Sequence, residues 1–400
     1  GINFNAYDQM RRKLKDIQVN SQSGSKTLLQ EIALVNQVSD KLVVTTTEIN
    51  SKGKQTLTKQ EFSMADLLEQ SVVINTGKDL QVLAKTKRDL KVVRLTVNGE
   101  LKGYSNKIEL YANDVDEARI MQRLLVNLVE PAGKALVKRL SVATSKQQLL
   151  NAISKHIQPF QNGSDSIDQS LDSKCITSYR LATTKKAGKI TEEIAQFNFG
   201  DLQENSVEIK VSGKLLSVTS QIKEKQKYVK AFKDGEQKSY TNKISFPVKS
   251  VDSAKAVVYI MSKVIDKCAV KPIPQKWTWL VANVAAANVD LPGLTQKMAR
   301  KAANSQCKVT FSSALAKKNK VAENVYDFNL NDLDEKAVEI NISGKKVEVG
   351  LQTNYSEKII KVYDGKKSKY VSDFSLLQSS LGNARNFKAT IESMIKKCKS

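Results

Sequence analysis

The stretch Phe197-Asn198-Phe199-Gly200-Asp201-Leu202 decides how this chain is read, together with Val207-Glu208-Ile209-Lys210-Val211-Ser212-Gly213-Lys214, Tyr228-Val229-Lys230-Ala231-Phe232-Lys233-Asp234-Gly235 and Ser239-Tyr240-Thr241-Asn242-Lys243-Ile244. It occurs three times. Phe62, Phe197 and Phe328 are 135 and 131 residues apart, Gly77, Gly213 and Gly344 are 136 and 131 apart, and Tyr104, Tyr240 and Tyr370 are 136 and 130 apart. Spacing this regular over three anchors predicts tandem duplication of a domain-sized unit rather than a short solenoid repeat. The expected domains are 1–132, 133–270 and 271–400, with Pro131-Ala132-Gly133 and Pro272-Ile273-Pro274 at the junctions.

The second copy gives the clearest local signals. Val207, Ile209 and Val211 alternate with Glu208 and Lys210, and Leu216 and Val218 repeat the alternation, as in half-buried strands. Further strands are expected over 175–183, 190–199, 228–232 and 240–248, with a hairpin at Asp234-Gly235. From Asp252 the apolar residues fall at Ala254, Val257, Val258, Met261 and Val264–Ile265, a helical period. Ahead of each cassette the sequence reads as helical: 7–17 and 26–38, then 146–159, then 277–289 and 294–303. The expected fold is α+β, three tandem repeats each made of a helical lead-in, a small antiparallel sheet or barrel of six or seven strands, and a closing C-terminal helix. That element order resembles the pleckstrin-homology-like (PH-like) barrel over about 90 residues of each unit.

The four cysteines follow the repeat. Cys175 precedes Phe197 by 22 residues and Cys307 precedes Phe328 by 21, while Cys268 and Cys398 each lie 28 residues after the repeated tyrosine. The first copy has Ala132 at one of these places and Asp40 or Lys41 near the other, so it lacks both partners together. Residues present or absent as a pair behave as disulfide partners, and Cys175–Cys268 and Cys307–Cys398 are the expected bonds. They imply an extracytoplasmic location: periplasm, cell surface or secreted. No CxxC spacing or histidine cluster points to a metal. The longest apolar run, 279–289, is too short to span a bilayer. The start at Gly1 rather than Met reads as a processed or truncated one, so the lack of a leader carries no information.

The net charge of +23 favours anionic partners. Of the 64 basic residues 10 are Arg, leaving 54 Lys, and a lysine-dominated surface lacks the bidentate geometry on which base and phosphate readers depend. That weighs against nucleic acid. The single histidine, His156, has no counterpart in the other copies and reads as a packing residue. Asp66, Asp201 and Asp332 recur without a second recurrent acid and read as turn residues. The Gly-Lys pairs at 77–78, 213–214 and 344–345 have strands on both sides, which excludes a phosphate-cradling loop and predicts hairpins with left-handed glycine.

Two recurrent basic sets remain as candidate ligand sites. One is a Lys-rich turn at the same place in each unit: Lys52 and Lys54, then Lys185, Lys186 and Lys189, then Lys317, Lys318 and Lys320. In PH-like barrels that resemblance places it at the headgroup-gripping first hairpin, but Gln60, Ala195 and Tyr326 stand where an added Arg is usual. Lysines at a strand tip also discourage edge pairing. The other set is Arg94, Lys230 and Lys361, where Tyr228 and Phe232 flank Lys230 in a pattern suited to stacking a glycan or base, and equally to a lysine stem covering an outer face packed by the preceding helices. Trp277 and Trp279 read as anchors of the third lead-in.

No catalytic constellation recurs, and no cofactor is expected. The function this predicts is a non-enzymatic extracytoplasmic binding or scaffold protein with three related basic modules, its partner a protein or an anionic surface or glycan. The first alternative is an anionic-ligand binder (glycan, lipopolysaccharide or lipid headgroup) working through the Lys-rich turns. Nucleic-acid binding is the second. Oligomeric state stays open at this level.

Overall fold

The computed structural model describes residues 4–141, 143–287, 292–318 and 320–400, and one element order recurs through them. The first run is α1 (Phe4–Lys15), β1 (Val19–Ser23), β2 (Lys26–Leu34), β3 (Lys41–Ile49), β4 (Gln55–Ser63), β5 (Val73–Thr76), β6 (Leu80–Lys85), β7 (Val93–Val97), β8 (Glu100–Ser105), β9 (Lys107–Tyr111) and α2 (Val115–Leu140). The second is α3 (Lys146–His156), β10 (Phe160–Asn162), β11 (Asp165–Leu171), β12 (Ile176–Thr184), β13 (Ile190–Asn198), β14 (Glu208–Ser212), β15 (Leu215–Gln221), β16 (Lys230–Lys233), β17 (Glu236–Gln237), β18 (Lys243–Val248) and α4 (Val251–Lys267). The third is α5 (Trp277–Ala286), β19 (Leu294–Arg300), β20 (Lys308–Lys317), β21 (Lys320–Asn329), β22 (Glu339–Ser343), β23 (Lys346–Gln352), β24 (Ile360–Asp364), β25 (Lys367–Val371), β26 (Asp373–Gln378) and α6 (Leu381–Lys399). The class is α+β with antiparallel sheets, and among the described residues no sheet closes on itself into a barrel.

Compactness groups the residues into two units, one of 1–192, 198–221 and 243–268, the other of 193–197, 222–242 and 269–400. In the first unit β1-β2-β3-β4-β7-β8 form one sheet and β5-β6-β9 a second, while β10-β11-β12 and β14-β15-β18 pair in the same manner. In the second unit β13-β16-β17 pair, as do β19-β20-β21-β24-β25 and β22-β23-β26.

Each run carries a buried glutamine that joins its sheets. Gln30 of β2 donates to the Tyr111 carbonyl at 3.0 Å and accepts from the Tyr111 amide at 2.8 Å. Gln169 of β11 donates to the Pro247 carbonyl, and Gln296 of β19 exchanges both bonds with Leu377. An amide side chain presents both a donor and an acceptor group, so it imitates a strand residue where the main-chain ladder stops. The same glutamines explain an error of prediction. Residues 26–38 and 294–303 were expected to be helical, yet they form β2 and β19, and the lead-ins are single helices rather than helical hairpins. Leu28, Gln30 and Ile32 all point inward, as do Leu294, Gln296 and Met298, so a polar residue interrupts the alternation that marks a strand.

Each closing helix lays an apolar stripe on the core of its own run, in α2 through Ala118, Met121, Leu125, Leu128 and Ala132. Capping side chains start the three: Asp114, Ser250 and Ser380 accept from the amides of Glu117, Ser253 and Asn383. The junction expected at 131–133 lies inside α2, which continues through Pro131 to Leu140. An internal proline costs a helix about 3 kcal/mol, and burial of Leu128, Val129, Ala132 and Ala135 around it offsets that.

All four cysteines are paired, Cys175–Cys268 and Cys307–Cys398, with Cα atoms 5.3 and 5.8 Å apart. Each bond ties the first strand of a cassette to the end of its closing helix. In the first run Asp40 holds the place of Cys175 and Cys307, shown by one shared backbone bond: Met64, Phe199 and Leu330 donate their amides to Asp40, Cys175 and Cys307. Asp40 is buried, accepts from Ser63 Oγ at 2.6 Å, and takes Arg139 Nε and Nη2 at 3.1 and 3.2 Å on its two oxygens. The extra length of α2 supplies that arginine. An ion pair thus makes in the first run the tether that a disulfide makes in the other two.

Among the described residues, no helix is long and apolar enough to cross a membrane.

Candidate functional site

The strand register assembles the second basic set with the repeated tyrosines. On adjacent strands Glu61, Arg94 and Tyr104 stand opposite one another in sequence across β4, β7 and β8. Asp327, Lys361 and Tyr370 do the same across β21, β24 and β25. In the second run Gln196 pairs with Lys230, and the Val229–Thr241 bridge sets Tyr240 beside it. One row of acid or amide, base and tyrosine therefore recurs on the outer face of each larger sheet. Arg94 bonds the Tyr104 hydroxyl, and burial raises the pKa of that tyrosine. Lys361 lies 4.8 Å from the Tyr363 ring centre, and its bond to Tyr363 raises its pKa. Lys230 lies 5.5 Å from Phe232. The Tyr228 ring carries Arg385 of α6 at 5.0 Å.

In the first unit this face is occupied by protein. The start of α4 lies on it: Lys41 donates to Asp252 at 2.8 Å and to Glu61 at 2.5 Å, Arg139 reaches Asp252 at 3.5 Å, and Lys255 pairs with Asp66. Burial opposes the charge on Lys41, but its bonds to Asp252 and Glu61 outweigh that and raise its pKa. Burial likewise works against the charge of Asp252, and Lys41 with Arg139 brings its pKa down. Asp66 is different. Burial lifts its pKa above the usual carboxylate range, and Lys255 opposes the lift without cancelling it. The turn carbonyl of Gly213 also comes close to Gly103, beside Tyr104. What remains open between Lys41, Glu61, Arg94, Asp252 and Lys255 is a cavity of about 40 Å³, room for a few waters.

The second unit repeats the arrangement. The Tyr240 amide donates to the Gly344 carbonyl at 2.8 Å, and Tyr240 is buried in one cluster with Val347 and Phe374. Gly213 and Gly344 have φ of +59° and +58° in two-residue hairpin turns, a conformation glycine takes without strain. Gly77 does not share it. Thr76 pairs with Leu80, which leaves a three-residue loop and removes the left-handed glycine expected there.

The recurrent aspartates end short 3-10 turns, Met64–Asp66, Phe199–Asp201 and Leu330–Asp332. Ser63, Asn198 and Asn329 cap the 3-10 turns through their side chains, and the carboxylate of Asp66 is used for the ion pair with Lys255. The turns Lys87–Asp89, Lys223–Lys225 and Asn354–Ser356 each hold two consecutive left-handed non-glycine residues, a feature with no sequence signal beyond its position.

The Lys-rich turns are hairpin tips as expected, each separate from the basic row. Asn50 accepts from the amides of Lys52 and Lys54, shaping the first tip. Lys185 pairs with Asp165 at 2.7 Å, while Lys186 and Lys189 are exposed. In the third tip Lys317 ends β20, Lys318 has φ +42°, Lys320 opens β21, and Asn319 lies outside the described residues. His156 is half-buried at the end of α3, where burial and Lys249 lower its pKa. Trp277 and Trp279 pack α5 on the core of the second unit, with Arg300 over the Trp277 ring. Among the described residues no three His, Cys, Asp or Glu side chains converge as a metal site would require.

Comparison with known proteins gives no relative to argue from: no family model matches the chain, and neither a curated protein nor a solved structure does.

Proposed function

We propose that this chain is a non-enzymatic extracytoplasmic scaffold of three tandem PH-like modules that engage protein surfaces through the recurrent basic and tyrosine face. One observation carries the reading: in both places where that face meets other residues of the same unit, it holds a glycine turn or the first turn of a helix, and at the first of them the space left is about 40 Å³. The two disulfides support an oxidising compartment. Replacing Lys255 by Glu in the full chain sets two acids together at the first face. Hydrogen exchange should then rise over 94–105 and 250–257 and stay unchanged over 339–378. Unchanged protection over 94–105 and 250–257 would sink the docking role of the face.

The exposure of Lys52, Lys54, Lys186, Lys189, Lys318 and Lys320 favours a second reading, capture of an anionic glycan or headgroup by the hairpin tips. Charge reversal of Lys185, Lys186 and Lys189 tests it on a sulfated glycan column. Retention that neither falls in the variant nor responds to salt counts against it.

A further inference from the structure

The face that is covered in the first two runs is open in the third. Val92 is 1% exposed and its counterpart Ile359 is 41% exposed; Tyr240 is 7% exposed and Tyr370 is 55%. The edge that does the covering is likewise uncovered in the first run. Ala256 of α4 is 7% exposed, whereas Ile120 at the same place in α2 is 45% exposed, and Val73 and Val115 beside it are exposed as well.

The charges of the two open surfaces match. Aligning Ala118 with Ala254 places Asp116 where α4 has Asp252, and Arg119 where it has Lys255. The registers Lys41–Ser63 and Lys308–Asn329 place Lys308 where the first run has Lys41, and Asp332 stands where it has Asp66. The two ion pairs of the first contact, Asp252–Lys41 and Lys255–Asp66, thus have ready counterparts in Asp116 with Lys308 and Arg119 with Asp332. Arg119 at present pairs only with Asp116 on its own exposed helix face, and Asp332 is in no ion pair among the described residues. The hairpin at Gly77 is one residue longer than those at Gly213 and Gly344, so the first turn of α2 carries the match.

We propose that the chain self-associates head to tail, the first turn of α2 in one copy docking on the face formed by Ile359, Lys361, Tyr370, Lys308 and Asp332 in a second copy. The proposal rests on the scaffold reading of that face and names its partner. The contact is heterologous, so each copy keeps one free end and association continues beyond a dimer unless a ring closes.

Sedimentation velocity of the full chain from roughly 1 to 300 µM, a range that covers micromolar affinity, reads the association directly. Wild-type protein should grow in mass with concentration, less so at high salt. Arg119→Glu and Asp332→Arg should each weaken association by about tenfold or more, since each sets like charges together at a docked contact. Arg119 is exposed and Asp332 half-buried, and unchanged circular dichroism confirms the fold. Mixing is decisive. In an equimolar mixture of Arg119→Glu and Asp332→Arg the original pair forms at one contact and the charge-reversed pair at the other, so the mixture should recover the growth in mass that each variant lacks alone, and the double variant Arg119→Glu/Asp332→Arg should associate by itself; a mixture no larger than its separate components overturns the pairing. A wild type that stays monomeric throughout overturns the proposal, as does association unaffected by either substitution. Either failure leaves the hydrogen-exchange result for Lys255→Glu standing, which separates it from failure of the scaffold reading.

Discussion

Replacing Lys255 by Met tests the energetics of the first contact. The Lys255 and Asp66 side chains are 9% and 14% exposed, and methionine keeps most of the stem packing while removing the charge. A buried carboxylate left without its partner costs about 3–5 kcal/mol. The pH dependence has a definite sign. Burial already raises the pKa of Asp66, and Lys255 is the principal group opposing the rise. Without it the pKa rises further. An acid with a raised folded pKa contributes fully below its unfolded pKa, and that contribution is lost as pH rises through the folded value. The deficit of the variant is therefore largest near neutral pH and shrinks on acidification, as Asp66 takes up a proton and no longer needs a cation. Native-state hydrogen exchange at α4 amides, followed at several pH values, gives the opening free energy directly. Adding Asp66→Asn should recover most of the loss. A deficit below about 1 kcal/mol at neutral pH would place the pair with exposed ion pairs and refute the reasoning. A deficit that does not change with pH would do so too.

The remaining predictions concern the tethers and the glutamines. Replacing Cys307 and Cys398 by Ser should destabilise the second unit by about 4–5 kcal/mol, the chain-entropy estimate for a loop of 91 residues, measured by urea unfolding. Asp40→Ala should cost about 2–3 kcal/mol by removing the charged hydrogen bonds to Arg139, which is partly exposed and keeps Asp252 at 3.5 Å, and a reductant should leave the first-run tether intact while opening the other two. Gln296→Leu orphans the Leu377 amide and carbonyl, a loss of roughly 2–4 kcal/mol by thermal unfolding, with little effect if water replaces the amide.

The repeat, the strands of the cassette, the closing helices and both disulfides are legible in the sequence, because alternation, helical period and paired absence each leave a local trace. β2, β11 and β19 are not. Their inward positions include Gln30, Gln169 and Gln296, and a buried amide looks like a solvated residue until its partner strand is known. The basic set Arg94, Lys230 and Lys361 is visible as a recurrence, and so are the tyrosines, yet their adjacency depends on a register that pairs residues 9 or 10 positions apart. The counterions on α4 lie much further off. Lys41 and Asp252 are separated by 211 residues, and no spacing argument reaches that far.

The most direct test of the account is the chemical reactivity of Tyr240 and Tyr370 in dilute, non-associated protein. One tyrosine position serves a docked face and an open one, so tyrosine-selective labelling read by mass spectrometry should modify Tyr370 readily and leave Tyr240 protected until the protein is unfolded. At concentrations where the chain self-associates, Tyr370 should become protected as well. Equal labelling of Tyr240 and Tyr370 in the folded protein would contradict the claim that one recurrent face is closed in the chain and left open at its third copy.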